Sequence, residues 1–337
     1  MEAIPAGRIS EVDLKALPMR SGGRLYIGCD DNGNVVGVKD ARRLPEDIPH
    51  GGDQKIMKEL KITVLAENTS ACALPCEHGL SLYLEYHENA YLLDAGSSDL
   101  FMRNAAALSV DLSRVKLCIL SHGHYDHSTG LEAFLEICPE VPVYAMRSFD
   151  GAYYSGAGGI HYIGVPESLK TVYRSRFRMI DAVTEIDDGV WVVPHSASGL
   201  EEIGRRTRLY VKKGEDLAPD GFAHEMSTVF ETADGLVICS SCSHAGLLPI
   251  LTEVQSAFPD KPLYAFIGGL HMMGSRHGQE TSLYTREELE QLTEDIAPFH
   301  LQHIYTGHCT GRAAYAMLKE LLGEMLSPLS TGIRFTP

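Results

Sequence analysis

From Lys61 onward, short apolar runs of strand length alternate with stretches of helical length, and this alternation restricts the fold more than any other feature of the chain. KITVLAEN, LSLYLEY and AYLLDAG read as strands and Ser98 to Leu108 as a helix. Apolar or β-branched runs bounded by turn formers suit strands, and longer stretches with helical spacing suit helices. Further strands are predicted at 115–120, 141–145, 189–193, 207–212, 226–231, 235–240, 262–267 and 302–306, with helices at 129–138, 246–258, 285–298 and 311–325. This order implies an α/β class with two roughly equal βα halves.

The first part of the chain has a different texture. GRLYIGCDDNGNVVGV, Gly23 to Val38, reads as two strands joined by a polar turn around Asp31-Asn-Gly33, hence a hairpin. PEDIPHGGDQ, Pro45 to Gln54, is rich in turn formers and reads as a linker. The expected organisation is a hairpin appendage and linker over 1–55 and one large domain over 60–337.

Charge and hydropathy narrow the function classes. With 45 acidic against 29 basic residues the formal charge is -16, a balance that repels nucleic-acid phosphates. The one basic cluster, Arg174 to Arg178 with Arg205, Arg206 and Arg208, reads as a solvated face or else as a phosphate-reading surface. MEAIPAGRISEVD lacks the basic start and apolar core of a secretory signal, and no run of about eighteen apolar residues occurs, so a cytoplasmic location without a membrane span is expected. Most of the eight cysteines are expected to be reduced thiols, with Cys242 and Cys309 beside histidines.

The chemistry concentrates in SHGHYDHSTG, Ser121 to Gly130, directly after the apolar run VKLCIL. A lone histidine is usually structural. Here His122, His124, Asp126 and His127 share six positions at a predicted strand exit, where ligands converge from a rigid base without burying charge in the sheet. His122 and His124 can reach one metal ion while Asp126 and His127 turn toward a second, an arrangement that favours nitrogen and oxygen donors over thiolates. Two divalent ions sharing a bridging hydroxide are expected, zinc first, with Mn2+ or Fe2+ as alternatives.

HGHYDH matches the HxHxDH signature of the metallo-β-lactamase superfamily. CEHGLSLYLEY, YLLDAGSS, LFMRNAAAL, CILSHGHYDHSTGL, CSSCSHAG, IGGLHM and TGHCTG follow in the order of the branch that resembles 7,8-dihydropterin-6-yl-methyl-4-(β-D-ribofuranosyl)aminobenzene 5′-phosphate synthase, across residues 62 to 335. The resemblance implies a four-layer αβ/βα sandwich. It implies Asp94 as an orienting aspartate behind the ligand loop, His244 as third ligand of the first metal, His308 as completing the second, and Glu77 and His78 as pocket residues. Where the superfamily keeps a bridging aspartate this chain has Cys242, so a thiolate bridge, His244 alone, or His224 and Glu225 leaning in from FAHEMS are the alternatives. Catalytic roles fall to Asp126, as a metal-ligating carboxylate, and to His271 of IGGLHM, as proton donor or substrate contact. The amino-terminal hairpin resembles part of the AlbA-type domain of Schlafen-like DNA-binding proteins, without that family's long preceding helix.

The expected function is metal-dependent hydrolysis or group transfer by a metal-bound hydroxide, on a small-molecule substrate such as a phosphorylated pterin or another phosphoester. The rivals are a DNA-associated or sensory metal-binding protein without enzymatic activity, and a di-iron oxidoreductase. The latter usually has glutamate where this chain has His124, and a flavin domain besides. Nucleic acid and membrane are not expected partners, and self-association is left open.

Overall fold

A computed structural model describes residues 14–18, 24–29, 35–40, 59–276 and 278–337. The chain divides into two compact units, Met1–Ile56 and Met57–Pro337. In the first, Leu14–Pro18, Arg24–Cys29 and Val35–Asp40 form a three-stranded antiparallel sheet, one strand more than the predicted hairpin. Leu14–Pro18 is bounded by charge and proline and carries little apolar pattern of its own. The predicted linker at 45–54 lies outside the described residues.

The second unit is a four-layer αβ/βα sandwich. One seven-stranded sheet runs Phe177–Ile180, Val143–Met146, Val115–Ile119, Asn89–Leu93, Ser81–Tyr86, Leu60–Ala66, Arg334–Phe335. The other runs Thr184–Asp187, Val190–Pro194, Met226–Glu231, Leu236–Cys239, Leu263–Ile267, His303–Thr306, Leu326–Pro328. Alternation along the strands decides the layering, because successive side chains point to opposite faces. Ile62, Val64, Leu82, Leu84, Leu117 and Ile119 face Val190, Val192, Phe230, Val237 and Ile267 between the sheets. The intervening Leu65, Tyr83, Leu92 and Cys118 turn outward against Phe101, Leu131 and Phe134 of the helices. On the far side Val229, Ile238, Phe266 and Ile304 meet Ile250, Val254, Leu289 and Leu318.

Each sheet is half antiparallel and half parallel. In α/β sheets ligands gather outside the carboxyl ends of the strands. Here Ala66, Leu93, Ile119, Cys239, Ile267 and Thr306 all end strands just before the polar residues described below. The predicted strand at 226–231 is observed as Met226–Glu231. The strand predicted at 207–212 is Leu209–Lys213, but it belongs to a separate four-stranded sheet with His161–Tyr162, Tyr153–Ser155 and Asp216–Pro219. Just before it lies an unpredicted helix, Leu200–Thr207. Glycine lowers helix propensity, yet Gly204 is needed in it, since a Cβ would stand 2.2 Å from the Asp220 carbonyl oxygen.

Several arginines of the basic cluster have acceptors close by. Arg174 pairs with Asp150, Arg205 with Glu202 and Arg206 with Glu288, while Arg176 donates to the carbonyls of Cys138 and Val141. Neighbouring carboxylates and main-chain acceptors take up these charges. Among the described residues no helix is long and apolar enough to cross a membrane.

Candidate metal centre

Two clusters of donor atoms meet where the two sheets present their strand ends. In the first, the rings of His122, His124 and His244 stand 4.6 to 4.8 Å apart, centroid to centroid, and one nitrogen from each lies within 4.8 Å of the others. The Nε2 atoms of His122 and His124 are buried without a hydrogen-bond partner. Buried polar atoms are nearly always satisfied, so these two leave room for a shared ligand. Burial and the surrounding imidazoles hold both rings well below the usual histidine range, and burial does the same, less strongly, to His244, which favours the neutral form that offers a lone pair.

Tautomers follow from the partners on the other ring nitrogens. Ser121 Oγ donates to Asp94 Oδ2 at 2.6 Å and so accepts from His122 Nδ1 at 2.8 Å, which frees Nε2. Glu225 Oε1 accepts from His244 Nδ1 at 2.8 Å and from its main-chain N–H at 2.9 Å, and Oε2 accepts from Ala245 N–H at 2.9 Å. Burial alone would raise the Glu225 carboxyl. The His244 ring and these donors outweigh it and hold the group at about 2.

The second cluster contains Asp126, His127, His308 and Cys242. His127 Nε2 is 3.2 Å from His308 Nε2 and 3.2 Å from Cys242 Sγ. Asp126 Oδ2 is 3.6 and 3.7 Å from the same two nitrogens. Bonds of about 2.0–2.1 Å from tetrahedral zinc to nitrogen put neighbouring nitrogens about 3.3 Å apart, so the His127 to His308 separation suits a small divalent ion. Asp94 Oδ2 accepts from His127 Nδ1 at 2.7 Å, the orienting position expected for it, with its backbone at φ 57°. His308 is held by residues not singled out in the sequence. Glu67 Oε1 accepts from its main-chain N–H, Asn68 Oδ1 from its Nδ1 at 2.9 Å, and Asn68 Nδ2 donates to its carbonyl at 3.0 Å.

The remaining candidates fall around these clusters. His78 is half-exposed, with Nε2 3.2 Å from Asp126 Oδ2 and its ring stacked on His308 at 5.4 Å. The Asp126 carboxylate raises the His78 pKa against the opposing effect of burial. Glu77 does not reach the cluster. It accepts from the N–H groups of Ser97 and Ser98 and from Ser98 Oγ at 2.6 Å, and so braces the turn that follows Asp94. His271 lies 4.4 Å, ring to ring, from His244, with its Nδ1 buried and without a hydrogen-bond partner. His224 does not lean in with a free nitrogen. Its Nδ1 accepts from Gly123 N–H and its Nε2 meets Asp220 Oδ2, both at 3.0 Å, so it braces the histidine loop. Of the alternatives left open around Cys242, the structure buries its sulfur 3.2 Å from His127 Nε2, because the strand Leu236–Cys239 delivers it there. His195 is clamped between Ser227 Oγ and Glu253 Oε2.

The sequence signal that could have exposed Glu67 and Asn68 is positional. LAEN leaves a strand just as LLDAG and ILSHGH do, with polar residues immediately after the last apolar one.

Comparison with known proteins agrees with this architecture. Residues 74–203 match the metallo-beta-lactamase superfamily. A curated relative from Methanocaldococcus jannaschii, named 7,8-dihydropterin-6-methyl-4-(beta-D-ribofuranosyl)-aminobenzene-5'-phosphate synthase, is 26% identical over 295 residues, covering 81% of this chain and 95% of its own. An uncharacterized protein of the same organism is 24% identical, over 77% of this chain and 94% of its own. A crystal structure described as a metal-dependent hydrolase of the beta-lactamase superfamily superposes with a TM-score of 0.68 at 24% identity, covering 82% of this chain and 98% of that one. In sequence over residues 74–203 and in fold over most of its length, this chain is similar to proteins of the metallo-β-lactamase superfamily.

Proposed function

We propose that this protein is a metal-dependent hydrolase or group-transfer enzyme that binds two divalent ions, one at His122, His124 and His244 and one at Asp126, His127, His308 and Cys242. The observation that carries the reading is the pair of buried Nε2 atoms on His122 and His124 that nothing in the protein satisfies. Bound there, divalent ions would supply a Lewis acid and bring the pKa of a water close to neutral.

The chain's own residues would do the rest. Asp94, Glu225 and Asn68 each accept a ring N–H, so His127, His244 and His308 keep a fixed direction and tautomer. His271, its ring centroid 4.4 Å from that of His244 and its Nδ1 without a hydrogen-bond partner, would hand a proton to a leaving group. Half-exposed His78, tied to Asp126, would contact a substrate reaching the second donor set from solvent.

The name of the Methanocaldococcus relative points to a phosphorylated substrate class built on an aromatic heterocycle. The test is metal content of the purified protein together with turnover of phosphoesters, pterin phosphates, lactones and nitrocefin before and after chelation. Chelator-sensitive turnover restored by zinc is expected. A protein that binds no divalent ion, or keeps full turnover without one, would reject the reading.

A further inference from the structure

A second thiol, Cys309, meets Cys242 of the second donor set. Cys242 and Cys309 are both buried, and Cys309 Sγ donates to the Cys242 carbonyl at 3.5 Å. The two sulfurs and a ring nitrogen of His308 all lie within 4.8 Å of one another.

The surrounding backbone is shaped to this sulfur pair. The His271 main-chain N–H points at Cys309 Sγ from 3.3 Å, a donor that favours a thiolate there. Gly269 leaves the space for it, since a Cβ at that position would stand 2.5 Å from Cys309 Sγ. Ser243, His271 and His308 adopt φ of 55°, 45° and 44°. They follow Cys242, donate to Cys309 and precede Cys309 respectively. Left-handed conformations at non-glycine residues are costly and cluster where function over-determines the backbone. A thiol that only filled space would require none of this.

We propose that Cys309 is itself a metal-binding residue, which with Cys242 and His308 gives the second position a sulfur face selective for a thiophilic divalent ion such as Zn2+ or Cd2+ over Mn2+ or Fe2+. The proposal rests on the metal reading of the site and adds to it a ligand and a selectivity. Each cysteine ligates as the thiolate, so its S–H bond breaks, a sulfur-to-metal bond forms and the proton leaves to solvent. Cys309 gives up its contact with the Cys242 carbonyl in doing so. Soft thiolate donors then outweigh the hard Asp126 carboxylate in choosing the ion.

The experiment is titration of the apo-protein with Co2+ and with Cd2+, following near-ultraviolet sulfur-to-metal charge transfer, in the wild type, Cys309→Ser and Cys242→Ser. Each variant is expected to lose about half of the band, and Cys309→Ser to lower the preference for Cd2+ over Mn2+ by about tenfold or more. X-ray absorption of the wild-type zinc protein should show two distinct zinc-bound sulfurs per chain, a measurement that holds if a variant fails to fold. A full-strength band in Cys309→Ser, or a single zinc-bound sulfur in the wild type, overturns the proposal while leaving the metal reading intact. Absence of any bound ion overturns both.

Discussion

Asn68 Oδ1 lies 2.9 Å from His308 Nδ1, across 240 positions of sequence. That single contact fixes which nitrogen of His308 faces Asp126 and His127. The Asn68 amide also donates to the His308 carbonyl, and its Oδ1 accepts from Gly79 N–H at 3.2 Å, so one side chain ties three loops together.

Asn68→Ala should therefore weaken the second metal position and spare the first. Losing a partner behind a ligating histidine typically costs about 10- to 100-fold in metal affinity. Competitive titration with a chromophoric chelator reads the two positions separately. Equal loss at both, or at neither, would remove Asn68 from this role.

Glu225→Gln is the matching change at the first position. The amide side chain keeps the shape, but it loses the charge that holds the His244 ring and replaces one acceptor with a donor facing the Ala245 or His244 N–H. The expected outcome is a fall of about 10- to 100-fold in affinity at the first position. Calorimetric zinc titration checks it, with circular dichroism to confirm folding.

Asp126→Asn and His271→Ala separate holding the ions from acting on the substrate. The amide is a poorer donor than the carboxylate, so metal content and turnover should fall together in Asp126→Asn. His271→Ala should keep its metal and lose about 10²- to 10⁴-fold in rate, the usual share of a general acid. Loss of metal from His271→Ala to the same extent would make His271 a ligand instead.

Asp187 gives a pH dependence away from the metal centre. On the edge strand Thr184–Asp187 of one sheet, its Oδ2 accepts from Tyr91 at 2.8 Å, Lys116 Nζ at 2.6 Å and Asn89 at 3.2 Å, all from the other sheet. Burial pushes its carboxyl up, but Lys116 and Tyr91 outweigh that and hold the pKa below the ordinary value. A folded pKa below the unfolded one stabilises above about pH 4 and is lost as pH falls through the folded value. Asp187→Asn should cost about 1–2 kcal/mol at neutral pH, with the difference shrinking below about pH 4. Urea unfolding at pH 7 and pH 3 tests the sign, and a pH-independent difference would reject it.

Local pattern determined much of this protein. Alternating apolar residues in LKITVLA, SLYLEY and VKLCI place one set of side chains between the sheets and the other under the helices, and that is readable because strand periodicity is a local property. The crowding of His122, His124, Asp126 and His127 in six positions was likewise visible, since neighbours along a strand exit are neighbours in space. The short strands His161–Tyr162 and Arg334–Phe335 were not legible, because two residues carry no period and form only when an existing edge pairs with them.

Only the tertiary structure decided which polar residues stand behind the candidate ligands. Glu67 and Asn68, Asp220 with His224, and Glu225 sit in segments that resemble any loop of turn-forming residues. What they touch depends on strand order and crossover, which bring the carboxyl ends of distant strands to one edge. Hydrogen-bond partners separated by 240 residues leave no trace in the spacing of either segment.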